Sequence, residues 1–379
     1  MTIDHDQHAK LEKYSEFDRD IYRKEPPSGW PGIHEHAKGF IVPPEIVPDR
    51  WEHFGCVYSS DGVPDPLSRR WKQNTEWWHS VDVPDALPAL INGLEEEPPL
   101  LLGSRKKPEE TKILYAGFLN GHYGHFLIES LLRLWPLLTS EYDAVAVFCY
   151  PEPPIRFNAE KTRECPQQAW MKAAIEILTY DRFPAPRLIL VHEPTRFDTI
   201  LHVPESLWYE EMVPFHPASK KFFNHFRISA RKAPLNSDRL HFVRDSNIYK
   251  ANLNTAKNEN ALIDLITEKY GFDAYEPGFL TFEEQVGRVS QSKVMMARYG
   301  TTMHMCMFMP PDATLIILID DREVVHTQYK LIEVMGFPEE QVHVIPYQGG
   351  NVNPNNPKLG QVPVNFDVDR YDEIIGAIL

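Results

Sequence analysis

From Thr111 onward the chain alternates short apolar runs with stretches of helical period, and nothing else in the sequence constrains its fold as strongly. Strand-like runs stand at residues 112–115, 144–149, 187–191, 199–203, 240–243, 273–275, 294–297, 315–319 and 342–345. Between them, helical patterns cover residues 115–137 in part, 167–179, 219–229, 258–270, 281–290 and 303–309, with a last helix from about residue 369. Runs this short and this apolar suit strands buried on both faces, and strands alternating with helices imply parallel sheets covered on both sides. Thr281 followed by Glu284 reads as a capping box, and Gly271 as the residue that ends the preceding helix.

At 379 residues the chain is long enough for two such blocks. A linker at Ala233-Pro234-Leu235-Asn236-Ser237 divides them, giving a first domain over residues 111–232 and a second over 233–379. Residues 1–110 have no sustained period; they are polar at first, then rich in Pro, Trp and His, with short strands at 41–43 and 56–58. They read as an irregular Pro/Trp-rich layer packed on the first domain. Within it, Trp77-Trp78-His79 suits either ordinary packing or stacking on a sugar ring.

The formal charge of −15 excludes a nucleic-acid partner and a polybasic membrane footprint, both of which need clustered cations. Four scattered cysteines with no Cys-x-x-Cys pair suit free thiols in a reducing compartment. No run approaches the roughly 18 apolar residues of a membrane span, and the opening Met-Thr-Ile-Asp-His-Asp lacks a signal-peptide layout. The expectation is a cytoplasmic protein without a transmembrane segment, or one peripheral to the inner face of the membrane.

Two stretches carry chemistry. The first is residues 115–137, YAGFLNGHYGHFLIESLLRLWPL: a strand end, a turn at Asn120-Gly121, then a helix apolar almost all round. His125 and Glu129 lie four apart on one face, Arg133 continues the stripe, and His122 joins it if the helix starts early. Such groups on a buried helix cost several kcal/mol unless they pair or meet a ligand. Three readings stay open: an internal ion pair, an acid–base site, or a metal site of His122, His125 and Glu129.

The second is Arg298-Tyr299-Gly300-Thr301-Thr302-Met303-His304, a buried strand leading through a small-residue turn into a helix N-terminus. Open α/β sheets bind phosphates at such places. Gly300 permits close backbone approach, Thr301 and Thr302 offer hydroxyls, and Arg244 after an earlier strand can pair with a diphosphate. Asp320 or Asp321, at a further strand end, suits either a sugar hydroxyl or a solvated turn.

At these stretches the sequence resembles glycosyltransferase family 61, the group of plant xylosyl- and arabinosyltransferases, animal O-GlcNAc transferases and many bacterial polysaccharide enzymes. The resemblance rests on Asn120 followed by His125-Phe126-Leu127-Ile128-Glu129 and Leu132-Arg133-Leu134-Trp135; on Arg244-Asp245-Ser246 with Asn258-Glu259; on Phe282-Glu283-Glu284-Gln285; and on Tyr299 to Met305 followed by Phe308-Met309-Pro310-Pro311. Tyr299 stands where the family usually has His, and His304-Met305 where it usually has Thr-Asn.

The resemblance implies a GT-B-like α/β architecture, two Rossmann-like domains facing a cleft, and inverting transfer from a nucleotide sugar to a glycan acceptor hydroxyl. On that reading Glu129 is the base, with His125 orienting or replacing it; Asn120, His122 and Arg133 support the acceptor side. Arg244, Tyr299, Gly300, Thr301, Thr302 and His304 bind the donor, a UDP-sugar, with no tightly bound cofactor and no metal. The sequence spells Asp-x-Asp at Asp18-Arg19-Asp20 and Asp367-Val368-Asp369, both outside these stretches. The competing class is a non-catalytic glycan- or nucleotide-binding protein with an altered donor site.

Overall fold

The computed structural model describes residues 33–42, 56–63, 65, 111–119, 123–149, 166–181, 184–191, 194–203, 218–243, 258–320, 326–347 and 366–379. The readings made above for residues 1–32, for Trp77-Trp78-His79, and for Asn120, His122, Arg244 and Asp321 lie outside them. The chain divides into two compact units, residues 1–171 with 181–219, and residues 172–180 with 220–379.

In chain order the first unit contains β1 (His34–Ala37), β2 (Phe40–Val42), β3 (Cys56–Tyr58), β4 (Lys112–Leu119), a helical segment α1 over residues 123–138, β5 (Ala144–Cys149), the first turns of α2 (Pro166–Leu178), β6 (Arg187–Leu190), β7 (Thr195–Arg196) and β8 (Thr199–His202). Its main sheet runs β1-β8-β4-β5-β6. The strands from β8 to β6 are parallel, and β1 closes the β8 edge antiparallel. A small antiparallel sheet, β3-β2-β7, lies on one face, where Ile41 and Val57 pack with Ile113, Tyr115, Phe197 and Ile200. Strand alternation turns Leu114 and Ala116 to the opposite face, and α1 packs on β4.

Two local departures shape this unit. β4 runs on past Tyr115, where the sequence pattern ends it, because an extra residue is absorbed between Tyr115 and Phe118. Gly117, at φ 77°, takes the conformation this bulge requires. The second departure is α1, which changes winding twice: α-helical at Tyr123–His125, π-helical at Phe126–Ser130, and 3-10 at Leu131–Leu138. The Leu131 N–H bonds back to the Phe126 carbonyl, one residue further than in an α-helix. Pro136, inside the last winding, has no N–H to give to an α-helical ladder. As its composition implies, the segment is buried: Phe126, Leu127, Leu131, Leu134 and Leu137 are all inaccessible to solvent.

The second unit contains α3 (Ala218–Ser229), β9 (Arg239–Phe242), α4 (Glu259–Glu268), β10 (Asp273–Tyr275), α5 (Phe282–Val289), β11 (Val294–Arg298), a 3-10 helix (Thr301–Phe308), β12 (Thr314–Asp320), α6 (His326–Met335), β13 (Val342–Tyr347) and α7 (Val368–Ile378). All five strands are parallel in the order β10-β9-β11-β12-β13. β11, the middle strand, is buried at every position. One core joins Leu262, Ile266, Met296, Ile316, Leu318, Ile345 and Tyr371. A second is aromatic, with Phe222, Phe223, Phe226, Phe282 and Phe308 meeting mostly edge to face. The capping box expected at Thr281 and Glu284 is formed, and Gly271 follows α4 at φ 67°. α6 is not anticipated by the apolar pattern.

Candidate functional site

Both sheets have a point where the order of parallel strands reverses, and open α/β sheets bind ligands outside the carboxyl ends of the strands at such points. In the second unit the first strand, β9, lies between the second, β10, and the third, β11. The switch point is therefore between β9 and β11. In the first unit β4 lies between β5 and β8, so the switch point is between β4 and β8.

At the end of β11 the Tyr299 N–H donates to the Leu318 carbonyl at 2.7 Å, holding the chain against β12. Gly300 then turns with φ 130° and ψ −161°, a conformation open to glycine and strained for other residues. A side chain built there would meet nothing within 4 Å, so the requirement for glycine is conformational and the space beside it is open. The Gly300 carbonyl accepts from the Met303 N–H at 3.0 Å and starts the 3-10 helix. Thr301 and Thr302 sit half-buried in its first turn.

Behind the turn, Gln328 of α6 donates from Nε2 to the Gly300 carbonyl at 3.2 Å and to His304 Nδ1 at 3.1 Å. Nδ1 of His304 therefore accepts, which places that ring's proton on Nε2. His304, expected to bind the donor, is buried and braced against Gln328, a residue that the motif pattern does not single out. Arg298, the last residue of β11, is also buried; Nη2 donates to the Tyr347 hydroxyl at 3.2 Å, and the guanidinium lies over the Tyr347 and Phe366 rings. β9 ends at Phe242, two positions before Arg244 in the sequence.

At the first unit's switch point, His125 is half-buried in the opening turn of α1. Glu129 belongs to the π-helical turn, with its side chain outside the described residues. π-helical turns interrupting a helix recur at functional sites. Arg133 is 3% exposed and reaches the end of β8, donating from Nη1 to the Val203 carbonyl over a long 3.5 Å. Its Cδ, Nε and Cζ lie across Gly117, each 3.0 Å from where a Cβ would stand. The Arg133 contact with β8 thus depends on the bulge in β4.

Among the described residues, the group able to hold a metal ion is His34, Asp65 and His202, away from the His122-His125-Glu129 spacing read in the sequence. Burial pushes the His202 imidazole down to about 4 against the raising pull of the Asp65 carboxylate. The sequence signal that marks this group is the His-x-His of β1, which puts His34 and His36 on one face of a strand.

These arrangements define a mixed α/β protein with parallel sheets and a glycine turn at a strand-order reversal. The family model of Glycosyltransferase 61 matches residues 123–316, just over half of the chain, and the protein belongs to that family of glycosyltransferases. No curated protein matches the chain.

Proposed function

We propose that the protein is an inverting glycosyltransferase of GT-B architecture. It moves a sugar from a nucleotide sugar, a UDP-sugar, to a hydroxyl of a glycan acceptor in surface polysaccharide assembly, in the cytoplasm or at the inner face of the membrane. One observation carries this reading: the two stretches bearing the family's motifs each adjoin a strand-order reversal. The diphosphate would lie against the Gly300–Thr302 turn, where Gly300 leaves the approach open, and Arg244, expected after β9, would add positive charge. Transfer is one displacement, in which Glu129, assisted by His125, takes the acceptor hydroxyl proton as the diphosphate leaves from the opposite face of the sugar. Backbone N–H groups and Arg244 would balance the charge that builds on the leaving oxygen. The Asp-x-Asp at residues 367–369 serves helix α7 instead, with Asp367 accepting from the Arg370 N–H at 3.2 Å. On this reading side chains and backbone carry the leaving group.

The competing reading, a binding protein without transfer activity, is favoured by the Gln328–His304 brace, which occupies a position where the family usually has Thr. Thermal-shift assays with nucleoside diphosphates separate the two readings. Uridine diphosphate is expected to raise the melting temperature, and a protein stabilised by no nucleotide would not be a transferase of this kind. Glu129→Gln is then expected to lower donor hydrolysis or transfer by about 10²–10⁴-fold while leaving nucleotide binding intact. Full turnover in that variant would remove Glu129 from the role of base.

A further inference from the structure

We propose that His34, His202 and Asp65 form a binding site for a divalent transition-metal ion, zinc by its ligand chemistry, with His36 positioning the carboxylate. The four side chains come from three places in the first unit. His34 and His36 alternate on β1; His202 ends β8, where it is registered opposite His34; Asp65 follows β3, its N–H donating to the Val57 carbonyl at 2.8 Å.

Three ring nitrogens converge on one carboxylate oxygen. His202 Nε2 is 2.9 Å, His36 Nε2 3.0 Å and His34 Nδ1 3.3 Å from Asp65 Oδ2. His36 and His202 hydrogen-bond this oxygen and fill its roughly two lone-pair directions, so the third ring, with His34 Nδ1 at 3.3 Å, is in excess of what it can accept. A cation shared by two rings and the carboxylate resolves that excess. The candidate ligand atoms of His34, Asp65 and His202 all lie within 4.8 Å of one another. Ligands about 2.0–2.1 Å from a tetrahedral zinc stand about 3.3 Å apart, and His202 Nε2 and His34 Nδ1 stand 2.9 and 3.3 Å from Asp65 Oδ2. His202 is fully buried, and its Nδ1 has no hydrogen-bond partner among the described residues, so the ring's hydrogen bonding rests on Nε2 and Asp65. His36 and His34 each stack on the His202 ring, at 5.4 and 5.0 Å between centroids.

Two imidazoles and a carboxylate suit zinc better than magnesium or calcium, which take oxygen ligands. Three protein ligands leave one position for water. His36 matches the supporting partner that orients a metal-bound carboxylate. Bound there, the ion would clamp β1 and the turn before Asp65 onto the edge of the main sheet. The site stands whatever sugar the protein transfers.

The test uses the full chain, stripped with chelator and titrated with zinc by calorimetry, and with cobalt followed by visible absorption. One zinc per chain is expected, with the intense bands of four-coordinate cobalt. His202→Ala and Asp65→Asn should abolish both. His34→Gln, at the most exposed ligand, should weaken zinc at least tenfold yet melt like the stripped wild type; His36→Ala should cost about 10–100-fold. Zinc should raise the melting temperature of wild type and leave that of Asp65→Asn unchanged. A stripped wild type that binds no zinc, or a well-folded His34→Gln that binds as tightly as wild type, would reduce the group to a hydrogen-bonded cluster and overturn the proposal.

Discussion

Gln328 holds His304 in place: its side-chain amide donates to Nδ1 of the imidazole at 3.1 Å, and to the Gly300 carbonyl at 3.2 Å. The helix that follows β12 therefore sets the backbone of the turn that follows β11. Gln328→Ala takes that donor from the buried Nδ1 of His304, at a cost of about 1–3 kcal/mol if it stays unsatisfied, while the Gly300 carbonyl keeps the Met303 N–H. Urea denaturation should show the loss, and nucleotide affinity should fall with it. Gln328→Glu should be worse than Gln328→Ala near neutral pH, because a carboxylate cannot donate and its charge is buried.

Gly117 and Arg133 form a second interdependent pair. Gly117→Ala places a methyl group 3.0 Å from three atoms of the Arg133 side chain, at φ 77°. The backbone strain alone is about 1–2 kcal/mol, and displacement of the arginine from Val203 adds to it. In an Arg133→Ala background the same change should cost only the backbone strain, so the fall in melting temperature should shrink without vanishing, a non-additivity that a double-mutant cycle measures.

His241 makes stability depend on pH. Burial pushes its imidazole down to about 4, with Arg298 pushing the same way and the Met296 carbonyl, 3.0 Å from Nδ1, opposing. The unfolded chain takes up a proton near pH 6.5 and the folded chain does not until about pH 4. The unfolded state thus binds more protons between those values, so stability is full above about pH 6.5 and declines as pH falls toward 4. The decline amounts to roughly 3 kcal/mol from this group. Denaturant midpoints measured from pH 7 to pH 4.5 should fall less steeply in His241→Asn, which keeps a side-chain N–H donor.

Thr281 accepts from the Glu284 N–H at 3.2 Å, while the Glu284 carboxylate accepts from the Thr281 N–H at 2.8 Å. Thr281→Ala should cost about 1 kcal/mol and Thr281→Ser almost nothing, read as shifts in denaturant midpoint at constant slope. The Thr281 N–H, with the Thr281 hydroxyl donating to the same carboxylate at 3.0 Å, holds the Glu284 carboxyl below its ordinary range.

The parallel strands are legible in the sequence because a strand buried on both faces has to be an unbroken apolar run, as β11 and β12 are. β1 is illegible for the complementary reason: His-Glu-His-Ala has no large apolar residue, and its inward positions are histidines. α6 escapes because its first turn is polar and its buried residues Leu331, Ile332 and Met335 come late. Gly300 is marked locally by a strand, a glycine and a helix start. Gln328 lies 28 residues further on, and only the sheet topology brings it to the turn. Asp65 and His202 are 137 residues apart, a separation no motif spacing encodes. The changes of winding in α1 are set by packing on β4 and by Pro136, and leave no periodic trace.

The strand order also decides how the protein can be cut. The family segment begins at residue 123, whereas β4, the centre of the first sheet, is Lys112–Leu119. A recombinant fragment trimmed to residues 123–316 would delete that strand and leave β5 and β8 facing each other across a missing partner. It would also end inside β12, before β13 has been made. The stretch that carries the family's signature is thus not an autonomous folding unit, and the sheet that presents α1 is completed by residues that lie before the signature begins.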